Sequence, residues 1–250
     1  MIAVGIDLAA QPRDTAYCRI RATKMGAGAT LAVGLDDDAL VGAFGMKTGI
    51  DAPFGWPLPF VDAIVAHRDG REWPGRDADD PDAFRKRLRL RRTDLFVREH
   101  TGISPLSVSS EKIGVAAMRC ALVLDRAASR GVRVARHGVS GNVCEVYPAA
   151  ALKCWYGAEV AWRGYKGRAA IATREPMVAR LLEDTGVEVR EPELMVASDH
   201  ALDAFVSALV AAAAAIGRTI PPRDPDERRI AAVEGWIHLP RPGDGPRRFP

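Results

Sequence analysis

Apolar residues in the first fifty positions fall into short runs between turn signals, and these runs predict strands before any helix. Ile2–Asp7 is an apolar run closed by an acid, with the length and composition of a buried strand. Gln11-Pro12-Arg13-Asp14 reads as a turn, residues 15–21 alternate as a second strand does, and Met25-Gly26-Ala27-Gly28 turns into a third strand over 30–34. Three strands joined this way make an antiparallel meander. Asp36-Asp37-Asp38 opens a short helix that ends at Phe44, where negative charge offsets the positive end of the helix dipole. Residues 46–51 are the fourth strand. Because strand–helix–strand units are right-handed and parallel, the fourth strand is expected beside the first.

The pattern then changes. Pro53, Pro57, Pro59, Pro74, Pro81 and Pro105 divide residues 52–112 into short helices and loops, which marks an insertion. Residues 113–130 have helical periodicity, with Val115, Met118, Leu122 and Val123 apolar. Short strands are expected at 132–135 and 143–147, and helices at 149–155 and 168–184, the second closed by Gly186. Residues 198–216 form the clearest helix, capped by Ser198 and apolar at nearly every later position. Residues 221–250, rich in Pro and Arg apart from 231–239, predict an extended tail over the surface of a domain spanning 1–220.

Candidate chemistry lies where the strands end. Gly-Ile-Asp occurs twice, at Gly5-Ile6-Asp7 and Gly49-Ile50-Asp51. Ligands gather at the carboxyl ends of parallel strands, so Asp7 and Asp51 are expected to meet there. Asp199 and Asp203 are four apart on the late helix and share a face. A bare carboxylate at Asp203, among apolar neighbours, would cost several kcal/mol unless paired or bound to a cation, an order-of-magnitude figure. Glu145 lies inside the expected strand at 143–147. These acids suit Mg2+ or Mn2+, which prefer oxygen ligands. Asp7, Asp51, Asp199 and Asp203 are the expected metal ligands, with Glu145 as a further catalytic acid.

Net charge is +3, compatible with a polyanionic partner without requiring one. Residues 85–92 form a basic run that could grip phosphates. Arg92, Lys112 and Lys166 are candidate substrate contacts, and Trp56 is a candidate base-stacking residue. His200 is adjacent to the acids but is expected on another face of the helix. The four cysteines form no CxxC pair and suit a reducing cytoplasm. The Ala-rich stretch 208–216 is too short and interrupted to span a bilayer.

The order β-β-β-α-β followed by alternating helices and strands, with acids at these points, resembles the ribonuclease H-like fold. Asp7 on the first strand and Asp199-His200-Ala201-Leu202-Asp203-Ala204 on the late helix resemble Holliday-junction resolvases of the RuvC type. More narrowly, several strings resemble the bacterial family known as domain of unknown function 429, described as predicted nucleases. They include Gly5-Ile6-Asp7-Leu8-Ala9, Gly49-Ile50-Asp51-Ala52-Pro53, Arg92-Thr93-Asp94, Glu145-Val146-Tyr147-Pro148 and Glu234-Gly235-Trp236-Ile237. Two departures from the resolvases stand out: Asp51 occupies a position where they usually carry Glu, and the insertion is large.

The resemblance implies an α/β fold with a mixed five-stranded sheet of order 3-2-1-4-5, helices on both faces and a helical insertion after strand four. It implies a metal-dependent nuclease acting on DNA or RNA, with a homodimer as a further expectation. A phosphotransferase of the actin and sugar-kinase type is the competing reading, but Leu8-Ala9-Ala10-Gln11-Pro12 lacks the glycines of its phosphate hairpin. A non-catalytic module of the same fold is the third. Trp236 and Ile237 are read as sealing the core edge.

Overall fold

The computed structural model describes residues 1–110, 113–157 and 164–246; Lys112, expected near substrate, lies outside them. The apolar runs of the sequence become strands β1 (Ile2–Asp7), β2 (Ala16–Thr23), β3 (Gly26–Val33), β4 (Lys47–Asp51), β5 (Val143–Glu145) and β6 (Val187–Val189). They form one mixed sheet in the order β5-β4-β1-β2-β3-β6. β1, β2 and β3 are the antiparallel meander, while β4 runs parallel to β1, β5 to β4, and β6 to β3. The first five strands have the ribonuclease H-like order expected. β6 is an addition, because three residues are too short to show an alternating pattern. Residues 132–135 are not a strand: Val132 and Val134 pack as partly buried side chains instead.

Helices α1 (Asp37–Gly42), α2 (Leu58–Arg68), α3 (Pro81–Arg89), α4 (Arg92–Thr101) and α5 (Ile113–Ser129) precede β5. Of these, α2, α3 and α4 make up the insertion. Helices α6 (Pro148–Tyr156), α7 (Ile171–Thr185), α8 (Glu193–Ala197), α9 (Asp199–Ala215) and α10 (Pro225–Glu234) follow it. Asp36 caps α1 by accepting from the Ala39 amide at 2.8 Å. Arg119 on α5 donates to Asp37, to Thr15 and to the Ala9 carbonyl, fixing the loop after β1. The α5 helix buries a small-residue face, including Gly114, Ala117, Cys120 and Val123. Of its expected apolar positions, Val115, Met118 and Leu122 are exposed.

Helix α9 lies across β1, β2 and β4, and the sequence shows why it comes so close. Gly5 and Gly49 are neighbours in the parallel ladder. A Cβ on Gly5 would lie 2.0 Å from the Ala204 carbonyl oxygen and 2.2 Å from the Ala208 nitrogen. One on Gly49 would lie 2.6 Å from the Ser207 carbonyl oxygen. Each glycine of the repeated Gly-Ile-Asp thus lets helix backbone rest on sheet backbone. The aspartate two residues later points to the same face, because strand side chains alternate. Gly5→Ala is expected to push α9 off the sheet, at the upper end of the ~1–3 kcal/mol typical of overpacking. Urea unfolding checks this; wild-type stability in the variant would mean that α9 packs more loosely.

The chain after residue 220 differs from the expected extended surface tail. Residues 225–234 are helical, and Trp236, Ile237 and Leu239 are buried, sealing the core edge as expected. Ile237 bridges Glu145 in parallel, and the His238 amide donates to the Glu145 carbonyl at 2.9 Å. The carboxylate of Glu234 accepts from the Leu58 and Arg92 amides, and Trp236 Nε1 donates to the Ile220 carbonyl. The composition of this stretch is that of a solvated tail, but its apolar residues are concentrated where these contacts form.

Candidate metal centre

Parallel register puts Asp7 directly beside Asp51 at the ends of β1 and β4. Ser198 caps α9 by accepting from the Ala201 amide at 3.3 Å, and the helix brings Asp203 over the same sheet edge. One carboxylate oxygen from each of Asp7, Asp51 and Asp203 lies within 4.8 Å of the others. Asp203 is fully buried and Asp7 nearly so.

Two of the three have partners. Asp7 Oδ2 accepts from His200 Nδ1 at 2.6 Å. Asp203 Oδ1 accepts from the Tyr165 hydroxyl at 2.7 Å, and its Oδ2 pairs with Lys166 Nζ. Among the described residues, no hydrogen bond or ion pair reaches the Asp51 carboxylate. Burial first, and then the charge of Asp7, hold the Asp51 carboxyl well above the usual carboxylate range, against the opposing pull of Lys166. Burial raises Asp203 to about 6 even though Lys166 is beside it. Burial alone would lower Lys166, but the charges of Asp203, Asp51 and Asp7 raise it. His200 is raised chiefly by its bond to Asp7.

The other expected site residues have different surroundings. Asp199 Oδ2 accepts from the Gly167 amide at 3.0 Å. Burial works against its charge, but that amide and the nearby His200 bring its carboxyl below the usual value. Glu145 faces Arg91, whose Nη1 and Nη2 donate to its two oxygens at 2.9 and 2.7 Å, and it also accepts from the Phe54 amide. Arg91 donates twice more to Asp94 and once to the Glu234 carbonyl. Arg92 is paired with Glu227 and Glu99. Trp56 is half-buried. Among the described residues, Lys166 is the expected substrate contact that pairs with the cluster.

Four further residues shape the site without having been singled out. Tyr165 holds Asp203. His200, expected on another face, reaches Asp7 because the first turn of α9 sits directly over the end of β1. Arg174 is buried and donates to the carbonyls of Tyr165, Gly167, Val196 and Ala197, stapling the Lys166 loop to the segment before α9. Arg91 neutralises Glu145 and Asp94. A signal for Arg174 exists: it occupies the first place of the buried series Arg174, Met177, Val178 and Leu181, spaced i, i+3, i+4, i+7.

Three carboxylates with hard oxygen donors, of which Asp51 is half-buried and the other two buried, fit a divalent cation of the Mg2+ or Mn2+ type. The fold and this cluster define an α/β protein of ribonuclease H-like topology with an acidic, potentially cation-binding centre. The chain belongs to the family described as protein of unknown function DUF429, whose profile matches residues 5–227. It matches no curated protein and no solved structure.

Proposed function

We propose that the protein is a metal-dependent nuclease that hydrolyses phosphodiester bonds of DNA or RNA. The observation that carries this reading is the Asp51 carboxylate, unpartnered among the described residues and crowded against Asp7 and Asp203 within 4.8 Å. Like charges this close are tolerated by protonation or by a cation. Asp7, Asp51 and Asp203 would hold the ion. A bound divalent ion supplies Lewis acidity at phosphorus and a water acidic enough to give hydroxide near neutral pH. Lys166, half-exposed on its Arg174-stapled loop beside Asp203, would bind a phosphate oxygen. His200 holds Asp7 at Nδ1 and would move a proton. Asp199 orients the Lys166 loop through Gly167, and Glu145 supports the strand end through Arg91. The direct test is cleavage of a nucleic-acid panel with Mg2+ or Mn2+, compared with Asp7→Asn. Equal activity in both proteins rejects the reading.

Ion binding is expected to depend on pH. Asp203 is protonated at about 6 in the folded chain, against its usual 3.8. The folded state therefore holds the extra proton between these values, and this group's contribution to metal-free stability falls as pH rises through them. The rise in melting temperature on adding Mg2+ should be small at pH 5 and large at pH 7.5. A Mg2+ response independent of pH would remove Asp203 from the site.

The remaining expectations belong to the same reading. Isolated thiols, three of the four buried, suit a reducing cytoplasm. No helix among the described residues is long and apolar enough to cross a membrane. A homodimer would use the exposed stripe Val115, Met118 and Leu122 on α5. Met118→Glu should then halve the mass seen by light scattering.

A further inference from the structure

A cavity of about 150 Å³ opens beside Asp51, between the turn after β4, the loop around residue 106 and the end of β5. We infer that it receives the base of the nucleotide whose phosphate lies at the carboxylates, and that it accepts one unpaired pyrimidine ring. The inference rests on the nuclease reading for the position of the phosphate.

Three observations lead there. The cavity shares Asp51 with the acidic cluster, so a group lodged in it is one short covalent link from anything bound at the carboxylates. The Arg91–Glu145 ion pair in its lining is already saturated. Arg91 has five N–H donors, and all five are taken in the guanidinium plane by Asp94, Glu145 and the Glu234 carbonyl. Both Glu145 oxygens already accept. What Arg91 has left to offer a ligand is the flat face of its guanidinium, which stacks on planar rings. The walls include Pro53, Leu106, Tyr147 and Ile237, an aromatic and aliphatic lining that selects by shape.

Size sets the class of base. A cavity of about 150 Å³ is the size of one that binds benzene, so a single six-membered ring fills it, and a fused double ring would project through the open mouth. A base within a duplex cannot enter, so the substrate is single-stranded or has an extruded base. Leu106 stands at the mouth and is 59 % exposed, which makes it a tolerant position to vary.

The test titrates the full chain with UMP, CMP, AMP and GMP by calorimetry, with and without Mn2+, and measures Mn2+ affinity separately. Wild type should bind the two pyrimidine nucleotides about tenfold tighter than the purine nucleotides. Leu106→Trp, which fills the mouth, should remove that preference. Leu106→Ala, which widens it, should strengthen AMP binding about tenfold. Equal binding of all four nucleotides, or no change in either variant, overturns the inference. Uridine binding that Leu106→Trp abolishes, in a chain that does not bind Mn2+, would overturn the metal reading and keep the cavity. Mn2+ binding without pyrimidine preference would overturn the cavity alone.

Discussion

Replacing Asp51 with Asn should lower Mg2+-stimulated cleavage by about 10²–10³-fold while raising the melting temperature of the metal-free protein. The two effects share one cause. Asp51 has Asp7 and Asp203 as close anionic neighbours and no partner among the described residues. In the absence of a cation, its charge opposes folding. The amide keeps the shape and removes that charge, so the metal-free variant should gain about 1–3 kcal/mol. For a chain of this size, each kcal/mol moves the melting temperature by about 2–4 °C. The same change removes a ligand, and losing several kcal/mol of transition-state stabilisation lowers the rate by about 10²–10³-fold. Calorimetry with and without Mg2+, beside a cleavage assay, reads both. A variant that melts lower than wild type and still cleaves would show that Asp51 has another role.

The largest loss of stability is expected at Arg91. Arg91→Met leaves Glu145 and Asp94 buried without their cation, a break that costs about 3–5 kcal/mol. That is about a fifth or more of an ordinary domain's stability. Arg91→Lys should be nearly as harmful, because one ammonium cannot reproduce two bidentate contacts and a fifth bond to the Glu234 carbonyl. Adding Glu145→Gln to Arg91→Met should recover part of the loss, since it removes one stranded charge. Urea unfolding of the two single variants and the double gives the coupling. Simple additivity would show that Arg91 and Glu145 do not depend on each other.

The acidic centre was legible in the sequence where local patterns build it. The repeated Gly-Ile-Asp gave both the glycines that seat α9 and the aspartates that meet. The near-continuous apolar run after Ser198 made Asp203 conspicuous. Contacts between distant segments were not legible. Residues 85–92 read as one basic run, yet Arg91 within it is buried and Arg85 is exposed. Charge counting cannot separate them, because the distinction comes from Glu145, 54 positions further on. His200 was misplaced because helical spacing shows which residues share a face but not how close the helix end comes to a strand. The segment after residue 220 was misread because its prolines and arginines outweighed five buried residues, 236–240.

The bridge between Ile237 and Glu145 also bears on how the protein is made. Residues 54–58 and 91–94, which follow or flank the acidic centre, donate hydrogen bonds to Glu145 and Glu234, and β5 is completed by Ile237 and His238. About 90 residues separate those last contacts from Glu145, roughly 5–20 s of translation. A ribosome-bound chain shorter than this carries Asp7 and Asp51 without their finished surroundings. Chains cut short before residue 237 should therefore lack the finished surroundings of the acidic centre and be easily degraded.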